Sequence, residues 1–115
     1  MSEQEVLERR IRVSRLYDLY GPLLTERQRR VYELRELDDL SLSEISDELS
    51  ISRQGVSDQL SRVRERLEEI ESLLGMLGRF DFIEKEAERI AQGENPQVHA
   101  SRIAEACRGR TMNDV

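Results

Sequence analysis

Arg53 and Gln54 follow directly on Ser52, and Ser57, Gln59, Ser61, Arg62 and Arg64 recur along the same stretch. These residue types can bind nucleic acid: Arg and Gln reach base edges in the major groove, and Ser and Arg reach phosphate oxygens. A second basic group, Arg27, Arg29 and Arg30, lies upstream and offers phosphate or RNA contacts. Two carboxylates oppose that chemistry. Asp58 and Glu65 fall within segment 52–66, where they stand against Arg53, Arg62, Arg64 and Arg66. Catalysis has weaker footing. His99 and Cys107 are the only residues of their kinds, and their spacing matches neither a metal site nor a nucleophile–base pair. His99, near a helix start, reads as a capping or surface group. No Gly-rich phosphate loop is present. Most carboxylates alternate with Arg at helical spacing, as in Glu65, Arg66, Glu68 and Glu69, and read as solvated surface. The expectation is a non-enzyme with no catalytic residue, no metal ligand and no cofactor.

Positioning those side chains requires helices, and the apolar spacing supplies them. Val6, Val13, Tyr17 and Tyr20 form one stripe over residues 3–20, and Gly21-Pro22 ends it. Thr25 with Gln28 forms a capping-box pattern before a helix over 26–37 that carries Val31, Tyr32 and Leu34. Ser41 with Glu44 repeats the pattern before a short helix ending near Leu49, and Ser52 is the next N-cap. Val56, Leu60, Val63, Leu67, Ile70 and Leu74 then alternate in steps of four and three, an apolar seam about five turns long. Gly75 and Gly78 interrupt it. Phe80, Ile83, Ala87 and Ile90 give a further helix stopped by Gly93, and Asn95-Pro96 opens one more with Ala100, Ile103 and Cys107 on one face. No strand-like alternation appears, so the fold class is all-α. The expected domains are a helix-turn-helix domain with its N-terminal helix over 1–75 and a helical extension over 76–115, with a flexible tail from about residue 109.

Leu42 to Leu60 fits a helix-turn-helix, which holds two helices at a steep angle across a short turn. Ser46 supplies the small residue where the helices approach, and Ser50 takes the turn position that Gly usually fills. Leu42, Ile45, Leu49, Ile51, Val56 and Leu60 supply the apolar core of the motif. An ordinary helical hairpin within a bundle is the plainer alternative. With the Val56–Leu74 seam inward, Gln54, Ser57, Asp58, Ser61 and Glu65 point outward beside Arg62. Arg53 and Arg64 then sit on one flank, Gln59 and Arg66 on the other. The far end of the seam packs on the first helix or forms a homodimer seam through Leu67, Ile70, Leu73 and Leu74.

Composition bounds the partners. The 115 residues carry 18 basic and 24 acidic side chains, a formal net charge of -6, so nucleic-acid binding must come from a local patch rather than a global field. Aromatics at 4% are too thin for an RNA-stacking platform. A single cysteine rules out an internal disulfide and fits a reducing compartment. The charged start does not read as a signal peptide, and no apolar run approaches the ~18 residues of a membrane span. A cytoplasmic protein without a membrane partner is expected.

Residues 23–67 resemble region 4 of the bacterial σ70-type factors. Leu16-Tyr17-Asp18-Leu19-Tyr20, Leu23-Leu24-Thr25, Asp39-Leu40-Ser41-Leu42-Ser43-Glu44-Ile45 and Ser52-Arg53-Gln54-Gly55-Val56 resemble the YlxM-like family, small σ-region-4-like helix-turn-helix proteins associated with the signal recognition particle. Gly55 stands where that family usually has Ala, and Ser57 where an aromatic is common. The resemblance runs from about Val13 to Leu74 and does not reach residues 76–115. It implies a σ-region-4-like helix-turn-helix bundle, with a partner in the RNA of the signal recognition particle or its GTPase. A dimeric DNA-binding transcription regulator is the alternative, and a protein-interaction adaptor on the same fold is a third. A complete σ factor is not expected, because its promoter-melting domain has no room.

Overall fold

The computed structural model describes residues 1–109, which hold six α-helices. Residues 110–115, within the tail expected to be flexible, lie outside the described residues. Helix α1 spans Glu3–Tyr20, α2 Glu26–Glu36, α3 Leu42–Leu49, α4 Arg53–Leu74, α5 Met76–Ala91 and α6 Pro96–Cys107, with a 3₁₀ turn at Gly21–Leu23. Among the described residues there is no strand, and no helix is long and apolar enough to cross a membrane. The chain divides into two compact units, Met1–Leu73 and a second beginning at Leu74.

The capping chemistry sets the helix starts. Thr25 Oγ1 accepts the Gln28 N–H at 3.1 Å while Gln28 returns a side-chain oxygen to the Thr25 N–H at 3.0 Å. Ser41 and Glu44 repeat that exchange at 3.1 and 3.0 Å. These bonds to Ser41 hold the Glu44 carboxyl below its ordinary pKa. Ser52 Oγ accepts the Gly55 N–H at 2.9 Å at the start of α4.

The first unit is built around two packed faces. Val31 and Leu34 of α2, Ile45 of α3 and Val56 of α4 are buried together, with Leu40, Leu42, Leu49, Ile51 and Leu60 packed against them. Each such fully buried side chain contributes about 1.5–3 kcal/mol. Further along, Val13, Leu16 and Tyr20 of α1 and Val63, Leu67 and Ile70 of α4 are buried. Tyr17 stacks on Tyr32 with ring centroids 4.1 Å apart and donates to Glu33 at 2.7 Å. Burial, then that hydrogen bond, push its phenol up to about 12. Tyr20 donates to Glu71 at 2.6 Å, tying α1 to the far end of α4. Val6 departs from the expected stripe and is exposed, and Leu16 takes a place in the buried face instead. Leu67 and Ile70 are buried within a single chain, whereas Leu73 and Leu74 are 74% and 47% exposed.

In the second unit α5 and α6 pack on each other. Gly75, left-handed at φ 64, ends α4 and precedes α5, and Gly78 sits inside α5 rather than interrupting it. The faces differ from those expected. Leu77 and Glu86 of α5 are buried while Phe80 and Ala87 are exposed. His99 and Ala106 of α6 are buried, Ile103 is half-buried, and Ala100 and Cys107 are exposed. A polar pair takes the place of an apolar stripe, which apolar periodicity alone cannot register.

Candidate nucleic-acid interface

The turn between α3 and α4 is closed by Ser46. Its carbonyl accepts the Ser50 N–H and, at 3.2 Å, the Ile51 N–H, and its hydroxyl donates to the Ile51 carbonyl. Ser50 adopts the left-handed conformation, φ 56 and ψ 44, which a Gly would reach without cost. Ser46 itself is half-buried. Gly55 lies close beside the cap. A Cβ there would lie 3.1 Å from the Ser52 Oγ that caps the helix.

The core turns α4 so that Val56 and Val63 face inward. Arg53, Gln54, Asp58, Arg62 and Glu65 are exposed, as is the capping Ser52. Ser57, Gln59, Ser61 and Arg64 are half-buried along the flanks. Gln54 donates to the Asp58 carboxylate at 2.9 Å, so one candidate base-reading side chain is held by the nearest acid. Arg64 donates to the Ser61 hydroxyl at 3.0 Å, and Arg66 pairs with Glu69 at 3.0 Å. Arg53 therefore stands in solvent at the amino end of α4, where the helix dipole and the first backbone N–H groups favour an anion.

The upstream arginines have different surroundings. Arg30 reaches α3 and pairs with Glu48 at 3.2 Å. Arg29 is half-buried and acts electrostatically on Tyr17 of α1, and Arg27 is exposed. Arg27 and Arg30, three residues apart, share one side of α2, and Arg29 lies about 100° round from Arg30.

Two constellations were not foreseen from the sequence. In the first unit Arg9 of α1 is placed opposite Arg64. Burial first, then the charge of Arg9, lower the Arg64 pKa, with Glu36 and Glu65 opposing. In the second unit Glu86, 1% exposed, accepts a hydrogen bond from His99 Nδ1. Arg89 and Arg102 lie 3.4 and 3.6 Å from the same carboxylate, and Glu94 lies 3.7 Å from His99 Nε2. Burial pushes the Glu86 carboxyl up, but the hydrogen bond and charge of His99, with Arg102 and Arg89, outweigh it and hold the group below its ordinary value. His99 is thus a buried partner rather than a surface cap. The one sequence signal was Glu86 at the apolar spacing of Ile83 and Ile90. Among the described residues no group of three or more His, Cys, Asp or Glu side chains could hold a metal ion.

Residues 7–106 match the model of the family UPF0122, described as "Putative helix-turn-helix protein, YlxM / p13 like". A UPF0122 protein of Thermoanaerobacter sp. (strain X514) is 47% identical over 78 residues, 68% of this chain and 67% of that protein. One of Halalkalibacterium halodurans is 43% identical over 76 residues, 66% of this chain and 70% of its own. One of Bacillus thuringiensis (strain Al Hakam) is 37% identical over 105 residues, 88% of this chain and 96% of its own. The chain belongs to the UPF0122 family of helix-turn-helix proteins.

Proposed function

We propose that this UPF0122 chain is a non-enzymatic regulator that binds nucleic acid through the amino end of α4. The observation that carries the reading is Arg53. It is exposed at the first position of a helix capped by Ser52, on a scaffold whose turn and core fix the direction of that helix. Helix-turn-helix proteins place the amino-terminal residues of the second helix against base edges and phosphates. The resemblance to YlxM-like proteins favours the RNA of the signal recognition particle as ligand, with its GTPase as a protein partner. A duplex DNA site is the alternative target. The net charge of -6 fits a protein whose contact is confined to one patch.

A protein-interaction adaptor is the second reading, and the exposed carboxylates Asp58 and Glu65 on the same helix favour it. Binding with unlabelled competitors separates the three. An RNA-directed protein bound to labelled signal-recognition RNA is displaced by that RNA and not by duplex DNA. A DNA regulator shows the reverse order. An adaptor retains neither, and its affinity for a protein partner lacks the steep salt dependence that phosphate neutralisation imposes.

A further inference from the structure

Between α1, α2, the start of α3 and α4 lies a cleft of about 450 Å³ whose polar lining includes Arg9, Arg10, Arg35, Arg64, Glu36 and Ser57. Four arginines meet one glutamate there. Arg10 holds that glutamate at 2.9 Å, and Arg35 donates to the Leu40 carbonyl at 2.9 Å. The other two are not satisfied in this way. Among the described residues neither Arg9 nor Arg64 has a carboxylate within ion-pair distance, and the hydrogen bond of Arg64 goes to Ser61. The acids nearby are engaged elsewhere or face water: Glu68 is held by Arg12 at 2.6 and 2.9 Å, Glu69 by Arg66, and Glu65 is exposed.

Arg64 is half-buried and Arg9 exposed at the mouth of the cleft. Burial disfavours the charged state of Arg64, and the like charge of Arg9 adds to that. An anion between them reverses both effects. We propose that Arg9 and Arg64 form a phosphate-binding cleft. Two guanidinium forks approach from different helices, so the fitting anion has several oxygens to offer, and phosphate meets that need. Ser57, on the same side of α4 as Arg64, adds a hydroxyl donor.

The source that fits is the backbone of the nucleic acid, and that part rests on the reading given above. Arg53, Ser57 and Arg64 follow in steps of four and seven residues on one side of α4. At 1.5 Å per residue, Arg64 lies about 16 Å beyond Arg53. In B-DNA, the alternative target named above, the major groove is about 12 Å wide. A duplex that receives the amino end of α4 therefore brings a backbone within reach of Arg64, and α1 adds Arg9 to the contact. A free phosphate group is the other source of the same chemistry.

The experiment uses the full chain, its Arg9→Ala and its Arg9→Lys variants. Binding to duplex DNA and to structured RNA is followed between about 50 and 200 mM salt. Melting is followed in parallel with inorganic phosphate and with chloride at equal ionic strength. Arg9→Ala is expected to reduce the salt slope by about 1, alike for every sequence, and Arg9→Lys to keep it. Phosphate should raise the melting temperature of the parent more than that of Arg9→Ala. In chloride, Arg9→Ala should melt at or above the parent, because a repulsive pair is gone. A changed slope establishes the backbone as source, with or without the phosphate shift. A phosphate shift lost in Arg9→Ala with an unchanged slope assigns the cleft to free phosphate. The same shift in a parent that binds no nucleic acid keeps the cleft and removes the helix-turn-helix reading. Arg9→Ala equal to the parent in both arms overturns the proposal, and so does a variant that melts below the parent in chloride.

Discussion

Arg53 and Asp58 carry opposite charges in the first two turns of α4, both are exposed, and each can be changed without touching the core. Arg53→Ala is expected to weaken nucleic-acid binding by about 1–3 kcal/mol and leave the melting temperature unchanged. Asp58→Asn is expected to tighten it, because a charge like that of phosphate leaves the proposed contact surface and the hydrogen bond from Gln54 loses its charged acceptor. Anisotropy titrations at one salt concentration check both, and equal affinities for parent and variants would remove this face from the interface. Residues of this kind were legible in the sequence when their role is local. Thr25, Ser41 and Ser52 cap helices because a hydroxyl reaches an N–H three residues on, which spacing alone specifies. Arg9 opposite Arg64 and His99 beside Glu86 were not legible, since which charges meet depends on how separate helices pack.

At the scale of elements, the turn between α3 and α4 depends on Ser46. Ser46→Leu adds bulk beside the turn and removes the hydroxyl bond to Ile51, so a loss of roughly 1–3 kcal/mol is expected. Each kcal/mol corresponds to about 4–8 °C for a unit this size, so calorimetry sees it readily, and an unshifted transition would contradict the role assigned to Ser46. The second unit carries a pH dependence of defined sign. The folded-state pKa of Glu86 lies below the ordinary 4.5, so the stability it contributes is full above that value and is lost as pH falls through the folded one. His99, Arg89, Arg102 and Glu94 are the groups that face this site. Glu86→Gln should therefore open hydrogen exchange in α5 and α6 at pH 7, and its difference from the parent should shrink as pH falls below 4.5. A difference that is constant with pH would contradict the assignment. The starts of α2, α3, α4 and α6 followed from caps and Pro96, and the seam of α4 from its spacing. The α5 face was misread because Glu86 occupies an apolar position and Phe80 an exposed one.

For the whole molecule, the burial of Leu67 and Ile70 within one chain confines the proposed dimer seam to Leu73 and Leu74. Ile70→Glu should then unfold the first unit by forcing a carboxylate into its interior. Leu73→Glu should instead leave melting unchanged and shift light scattering from dimer towards monomer. A parent that scatters as a monomer at high concentration would end the homodimer proposal. The all-α class and the helix-turn-helix were legible because periodicity and capping are properties of single helices. The cleft at Arg9 was not, because it belongs to several helices together. Amide chemical-shift mapping of the full chain with signal-recognition RNA or duplex DNA shows whether the amino end of α4 is the nucleic-acid surface. Shifts centred on Ser52–Asp58 that fade as salt rises are expected. Shifts absent from residues 52–64, with either nucleic acid present in excess, would contradict that assignment.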